Sequence, residues 1–193
     1  MRKMIGVLLI AVVIGGFVWM TIGKGNNRGD IETSGGGSNK STYNQTPLER
    51  IESIKEVLVK SYPTEPKEII SEHNELMGIC YRYPMDEEAI KSYVETIRNL
   101  YSEEFKALNS EENQIAALRE ERKTMSEKEM ELLTSKIIEV YVAQDTNGED
   151  VSAEVNVIHA TNLGSGEFVY RLIKEEGLWK ISGWEIKQQE NEQ

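Results

Sequence analysis

The sequence predicts an α+β protein: three to four N-terminal helices packed on a curved four-stranded antiparallel sheet, preceded by one transmembrane helix. Three observations lead there. No residue between Met4 and Gly23 is charged. From Thr46 onward apolar residues recur at helical spacing, and beyond Leu133 the period falls to two. Asn147-Gly148 and Glu176-Gly177 separate the alternating runs, where a tight hairpin needs residues that accept positive φ.

The apolar run comes first. A helix rises ~1.5 Å per residue, so residues 4–23 cover the ~30 Å hydrocarbon layer of a bilayer. A cleaved signal has a core of about 7 to 15 apolar residues and small residues at its cut site. This core is longer and ends Trp19-Met20-Thr21-Ile22-Gly23, where only Thr21 and Gly23 loosely resemble a cleavage pair. The only cysteine, Cys80, lies too far downstream to carry a lipid at the end of the run. Basic residues flank both ends, Arg2 and Lys3 before and Lys24 and Arg28 after, so the positive-inside bias is nearly balanced. The short leader favours a cytoplasmic N-terminus and an extracytoplasmic body. Residues 24–45 are rich in Gly, Ser and Asn and form a flexible linker with a reach of ~25 Å. The expected layout is an anchor at 4–23, this linker, a domain at 46–188 and a disordered tail at 189–193.

Charge narrows the partners. The net charge is −11, and the first 45 residues contribute +3, which leaves −14 on the rest. Nucleic acid is an unsuitable partner for such a surface, because phosphate contacts need Lys and Arg to release counterions. With one cysteine the domain forms no internal disulfide and relies on core burial, which suits a bacterial envelope.

Thr46-Pro47-Leu48-Glu49 is a capping box with proline at the first helical position. In the helix it opens, Leu48, Ile51, Ile54, Val57 and Leu58 recur at helical spacing, and Tyr62-Pro63 ends it. A second helix follows Thr64 with a stripe of Ile69, Ile70, His73, Leu76, Met77, Cys80 and Tyr81. Asp86 caps a third, whose face of Ile90, Tyr93, Val94, Ile97, Leu100 and Tyr101 extends toward Phe105 and Leu108. Ser110 starts a fourth segment through Ile115 and Leu118, whose charged end at 119–123 is frayed or solvent-facing. Ser126 to Glu129 repeats the capping-box pattern and predicts a further short turn. Strands are expected over Ile137 to Val142, Val151 to Val157, Phe168 to Ile173 and Leu178 to Ile186, with a turn across Asn162 to Gly166.

Three helices followed by a meander that closes on Gly177-Leu178-Trp179-Lys180-Ile181-Ser182-Gly183-Trp184-Glu185-Ile186 resembles the nuclear transport factor 2-like superfamily. The resemblance implies a cone-shaped α+β fold over residues 46–188, with a mouth that members use in different ways. With a single span ahead of it, the chain is also similar in layout to uncharacterised membrane proteins of Gram-positive anaerobes. It resembles more loosely the anchored cone-fold subunits of conjugation and type IV secretion machines. No site residue of the superfamily maps onto this sequence.

Candidate chemistry is sparse. His73 lies on an apolar stripe near Cys80, and two ligands do not make a metal site, so no metal and no cofactor are expected. His159 is in phase with Val155 and Val157 and points toward the mouth; for acid/base work it needs a carboxylate such as Glu139 or Glu154. The resulting pocket candidates are Glu139, Tyr141, His159, Arg171 and Trp184, with no catalytic assignment among them. The leading expectation is a non-enzymatic, membrane-anchored extracytoplasmic domain that binds a protein partner or assembles an envelope complex. The alternative is a tethered cone-fold domain that binds or converts a small ligand.

Overall fold

The structure, a computed structural model, describes residues 45–187; the anchor at 4–23, nearly all of the linker and the tail at 189–193 lie outside them. Five helices pack against a four-stranded antiparallel sheet. The helices are α1 (Pro47–Lys60), α2 (Pro66–Arg82), α3 (Glu87–Arg98), α4 (Glu103–Ala107) and α5 (Glu111–Glu127). The strands are β1 (Leu132–Gln144), β2 (Asp150–Thr161), β3 (Gly164–Glu175) and β4 (Leu178–Ile186), paired in sequence order. Among the described residues no helix is long and apolar enough to cross a membrane.

The capping chemistry forms as the sequence implies. Thr46 Oγ1 accepts from the Glu49 amide at 3.2 Å while Glu49 Oε2 accepts from the Thr46 amide at 2.7 Å, closing the box at the start of α1. The Asp86, Ser102 and Ser110 side chains cap α3, α4 and α5 by accepting from the amides of Ala89, Phe105 and Asn113.

Two helix boundaries differ from expectation. The third helix stops at Arg98, because Leu100 and Ser102 leave the helical ladder for β4: the Ile181 amide donates to the Leu100 carbonyl at 2.8 Å and the Ser102 amide to the Ile181 carbonyl at 2.9 Å. Phe105 therefore belongs to the separate short α4. The charged stretch 119–123 stays helical and is solvent-facing at Arg119, Glu120 and Lys123; α5 continues to Glu127, with Arg119 paired to Glu87 and Arg122 donating to the Tyr83 carbonyl at 3.1 Å. Ser126 thus lies in the last turn of α5, its carbonyl accepting from the Glu129 amide at 3.1 Å, rather than capping a separate segment.

Helix α2 lies on the sheet, and α1 and α3 pair with each other over it. The core runs through this interface, from Ile51 and Ile69 to Val155, Leu172, Trp179 and Ile181. Two bulges decide which strand residues join it. In β1 the register slips between Ile137 and Glu139, so Ile137 and Val140 both face the helices although they are three apart, and Ile138 turns outward. In β4 the pairing steps from Leu172↔Ile181 to Arg171↔Gly183, and the extra residue, Ser182, brings Trp184 onto the same inner face as Ile181. The turn after β2 is tighter than expected, a two-residue loop of Asn162 and Leu163, so Gly164 to Gly166 already belong to β3. Glu176 and Gly177, with φ of 53° and 81°, make the last hairpin turn.

Candidate functional site: an aromatic cavity between helices and sheet

The inner face of the sheet does not close completely against the helices. A cavity of about 120 Å³ remains, walled by His73, Met77 and Tyr81 of α2, Tyr93, Ile97 and Arg98 of α3, and Leu118 and Glu121 of α5. Its other walls are His159, Phe168, Tyr170 and Trp184 of the sheet, with Phe105 of α4, Gln114 of α5, and Tyr101 and Asn109 from the connections on either side of α4. A dry cavity of this order lined by apolar groups is large enough for a single-ring molecule.

Ring against ring builds the wall. His73 sits edge-on to Tyr170 at 5.2 Å and to Trp184 at 5.7 Å between centroids, and Phe105 meets both Tyr101 and Trp184 at 5.1 Å. These are the tilted and T-shaped arrangements that the ring quadrupoles favour. Trp184 reaches this cluster because of the β4 bulge, and Tyr170 stands directly across from it in the register.

Polar groups punctuate the rings. His159 Nδ1 lies 2.8 Å from Ser135 Oγ, its cross-strand partner on β1, and Nε2 lies 2.8 Å from the Tyr170 hydroxyl. A neutral imidazole satisfies this pair by donating from one nitrogen and accepting at the other. Burial lowers its pKa to about 4. His73 is lowered to about 3, by burial first and by His159 second. The Tyr101 hydroxyl is 3.5 Å from His73 Nε2, while His73 Nδ1 is buried with no hydrogen-bond partner among the described residues. Burial raises the Glu121 carboxyl to about 7, against the opposing effect of the Tyr81 hydroxyl, which donates to Oε2 at 2.8 Å. Arg98 donates only to oxygens of neutral groups: the Asn109 carbonyl at 2.9 Å, Gln114 Oε1 at 3.0 Å and the Lys106 carbonyl at 3.4 Å. It ties the α4 connection to α3 and forms the rim.

Of the five sequence-derived candidates, the structure brings His159 and Trp184 into the cavity. Glu139, Tyr141 and Arg171 are exposed and lie on the outer face of the sheet. There Arg171 pairs with Glu154 at 3.4 Å and Glu185 at 2.7 Å, and Glu139 raises the pKa of the Tyr141 phenol. The physical reason is parity: Tyr141, Glu154 and Arg171 occupy registered positions one residue out of phase with Val140, Val155 and Tyr170. Glu121, the carboxylate that does reach the cavity, was not among the candidates. Its signal is a lone acid between Leu118 and Met125 on the only buried stripe of α5. Among the described residues no three His, Cys, Asp or Glu side chains come together to hold a metal. Cys80 is buried, which pushes its thiol up to about 12.

Fold and site together define a small α+β domain with an aromatic cavity at its helix–sheet interface. The chain belongs to the family described as a domain of unknown function, DUF6715, whose profile matches residues 1–184 and so takes in the apolar run as well as the domain. Comparison with curated proteins and with solved structures returns no match.

Proposed function

We propose that this chain is a membrane-tethered binding module, held outside the cytoplasm by residues 4–23, whose domain takes up a small, largely apolar ligand. The nuclear transport factor 2-like layout is part of the proposal, since helices followed by a meander with a cavity between them is what that resemblance implies. The observation that carries the reading is the cavity itself: about 120 Å³ walled by aromatic rings, with a few convergent polar groups, which is the composition of ligand sites.

Its test is a titration of the purified full chain with single-ring probes such as indole and toluene. A site-directed ligand at 100 times its Kd stabilises the folded state by about 2.7 kcal/mol, a rise in melting temperature of several degrees for a domain of this size. Leu118→Trp, which fills the cavity from α5, should remove the shift. No shift with any probe at millimolar concentration would count against a ligand site. The tether has its own test: Leu8→Asp with Val12→Asp should move the protein from the membrane to the soluble fraction, and continued sedimentation with membranes would contradict the anchor.

A protein partner in the envelope is the second reading. It is favoured by the exposed apolar side chains Ile138, Tyr141 and Val142 on edge strand β1 and Val151 beside them on β2.

A further inference from the structure

The cavity's polar groups restrict what its ligand can be. We propose that the site selects a small aromatic or alkyl amine, with the ammonium group lodged against the Glu121 carboxylate and the apolar body against the rings. This rests on the ligand-binding reading above and adds the ligand's charge.

Glu121 is 8% exposed and lines the cavity. One oxygen, Oε2, accepts from the Tyr81 hydroxyl at 2.8 Å, and the carboxyl borders the cavity. No Lys or Arg among the described residues forms an ion pair with it. Arg98, the cation of the rim, holds the three neutral oxygens named above, and Arg122, on the same helix as Glu121, turns to Cys80 Sγ at 3.9 Å and the Tyr83 carbonyl. The titratable groups that face Glu121 are Tyr81 and Cys80 from α2, Tyr93 from α3 and Tyr101 from the connection to α4. All four are kept in their neutral forms by burial. The two cavity histidines are neutral for the same reason.

A carboxylate held largely out of water either takes up a proton or is stabilised by a counter-charge, and among the described residues no Lys or Arg supplies one to Glu121. An ammonium group is the ligand chemistry that completes it. Tyr101, Phe105, Tyr170 and Trp184 line the same space, and an aromatic ring attracts a cation that sits over its face. His73 Nδ1, buried and without a partner, offers a second polar contact. A neutral ligand would gain only a single hydrogen bond from Glu121. An anionic one would meet the carboxyl, with Arg98 as the cation among the lining residues.

Binding should also be linked to protons. Free Glu121 is near half-protonated at neutral pH, so an ammonium ligand drives a proton off as it enters, and affinity rises as pH rises.

Three isosteric probes decide the matter by calorimetry on the full chain: benzylamine, benzyl alcohol and benzoate. At pH 7.5 benzylamine should bind at least ten-fold tighter than either of the others. Its affinity should fall about ten-fold between pH 7.5 and 6, with proton release detected by comparing buffers of different ionisation enthalpy. Glu121→Gln, checked for folding by circular dichroism, should bring benzylamine to the level of benzyl alcohol. If that variant fails to fold, the pH profile and proton release of the unaltered protein decide alone. Equal binding of benzylamine and benzyl alcohol, or a preference for benzoate, overturns the amine assignment and leaves the cavity reading standing. If none of the three binds, both fail.

Discussion

Acidification should destabilise the domain from about pH 6.5 downward, well above the range in which surface carboxylates protonate. His73 and His159 have folded pKa values near 3 and 4, both below the ordinary 6.5, because burial penalises the imidazolium. The unfolded chain therefore takes up protons first. The stability these groups contribute is complete above pH 6.5 and is lost as pH falls through their folded values. At ~1.4 kcal/mol per pKa unit the two together are worth on the order of 5 to 8 kcal/mol, comparable to the whole stability of a small domain.

Glu121 acts in the other direction. Its folded pKa is raised from 4.5 to about 7, so its contribution is complete below pH 4.5 and is lost as pH rises through 7. The opposing slopes offset each other in part between pH 7 and 4.5. Urea denaturation should show a net loss of about 3 kcal/mol between pH 7 and 4 in the unaltered protein and roughly twice that in Glu121→Gln, where the offset is gone. Equal stability at pH 7 and 4 in both proteins would show that the histidines are solvated. The exposed acids Glu49, Glu103 and Asp145, whose hydrogen bonds lower their pKa values, act on the same side as the histidines but only below about pH 4.5.

Tyr170→Ala should be the most damaging single substitution, at about 4 to 6 kcal/mol. Removing a fully buried aromatic side chain costs ~3 to 5 kcal/mol in lost transfer energy and residual cavity. Here Tyr170 is 2% exposed, and its loss also strands His159 Nε2, for which an unsatisfied buried polar atom adds ~1 to 3 kcal/mol. Tyr170→Phe keeps the ring contacts with His73 and Trp184 and removes only the hydroxyl, so it should cost about 1 to 3 kcal/mol. Urea denaturation of the two variants separates packing from hydrogen bonding. A loss under about 1 kcal/mol for Tyr170→Ala would mean that the cavity wall does not support the core.

Much of the architecture is legible residue by residue. The Thr46 and Asp86 caps, the apolar stripe of α2 and the Glu176-Gly177 turn depend on chemistry within three or four neighbours, and each forms where local rules put it. What misleads is phase. Ile137 and Ile138 stand side by side in the chain, and only pairing with Asn156 and Val157 decides that the first faces inward. The third helix has the periodicity to continue past Arg98, yet the hydrogen bonds to Ile181 outcompete another turn. The same limit applies to the cavity. His159 was visible by its phase with Val155 and Val157, whereas Trp184, Glu139, Tyr141 and Arg171 were singled out as amphipathic or polar strand residues, and of these only Trp184 is turned into the cavity, by the β4 bulge.

The sequence by itself determined the order of elements, the ends set by caps and hairpin turns, the acidity of the body and the expectation of a lipid-embedded start. Those follow from hydrophobic period, short-range hydrogen bonding and charge, which act over a few residues. Only the tertiary structure decided that Glu121 of α5, His73 of α2 and Tyr170 of β3 share one cavity. They are brought together by a bulge at Ser182, a strand-like link at Leu100 to Ser102 and the packing of α2 on the sheet, contacts between residues tens of positions apart that local preferences cannot specify.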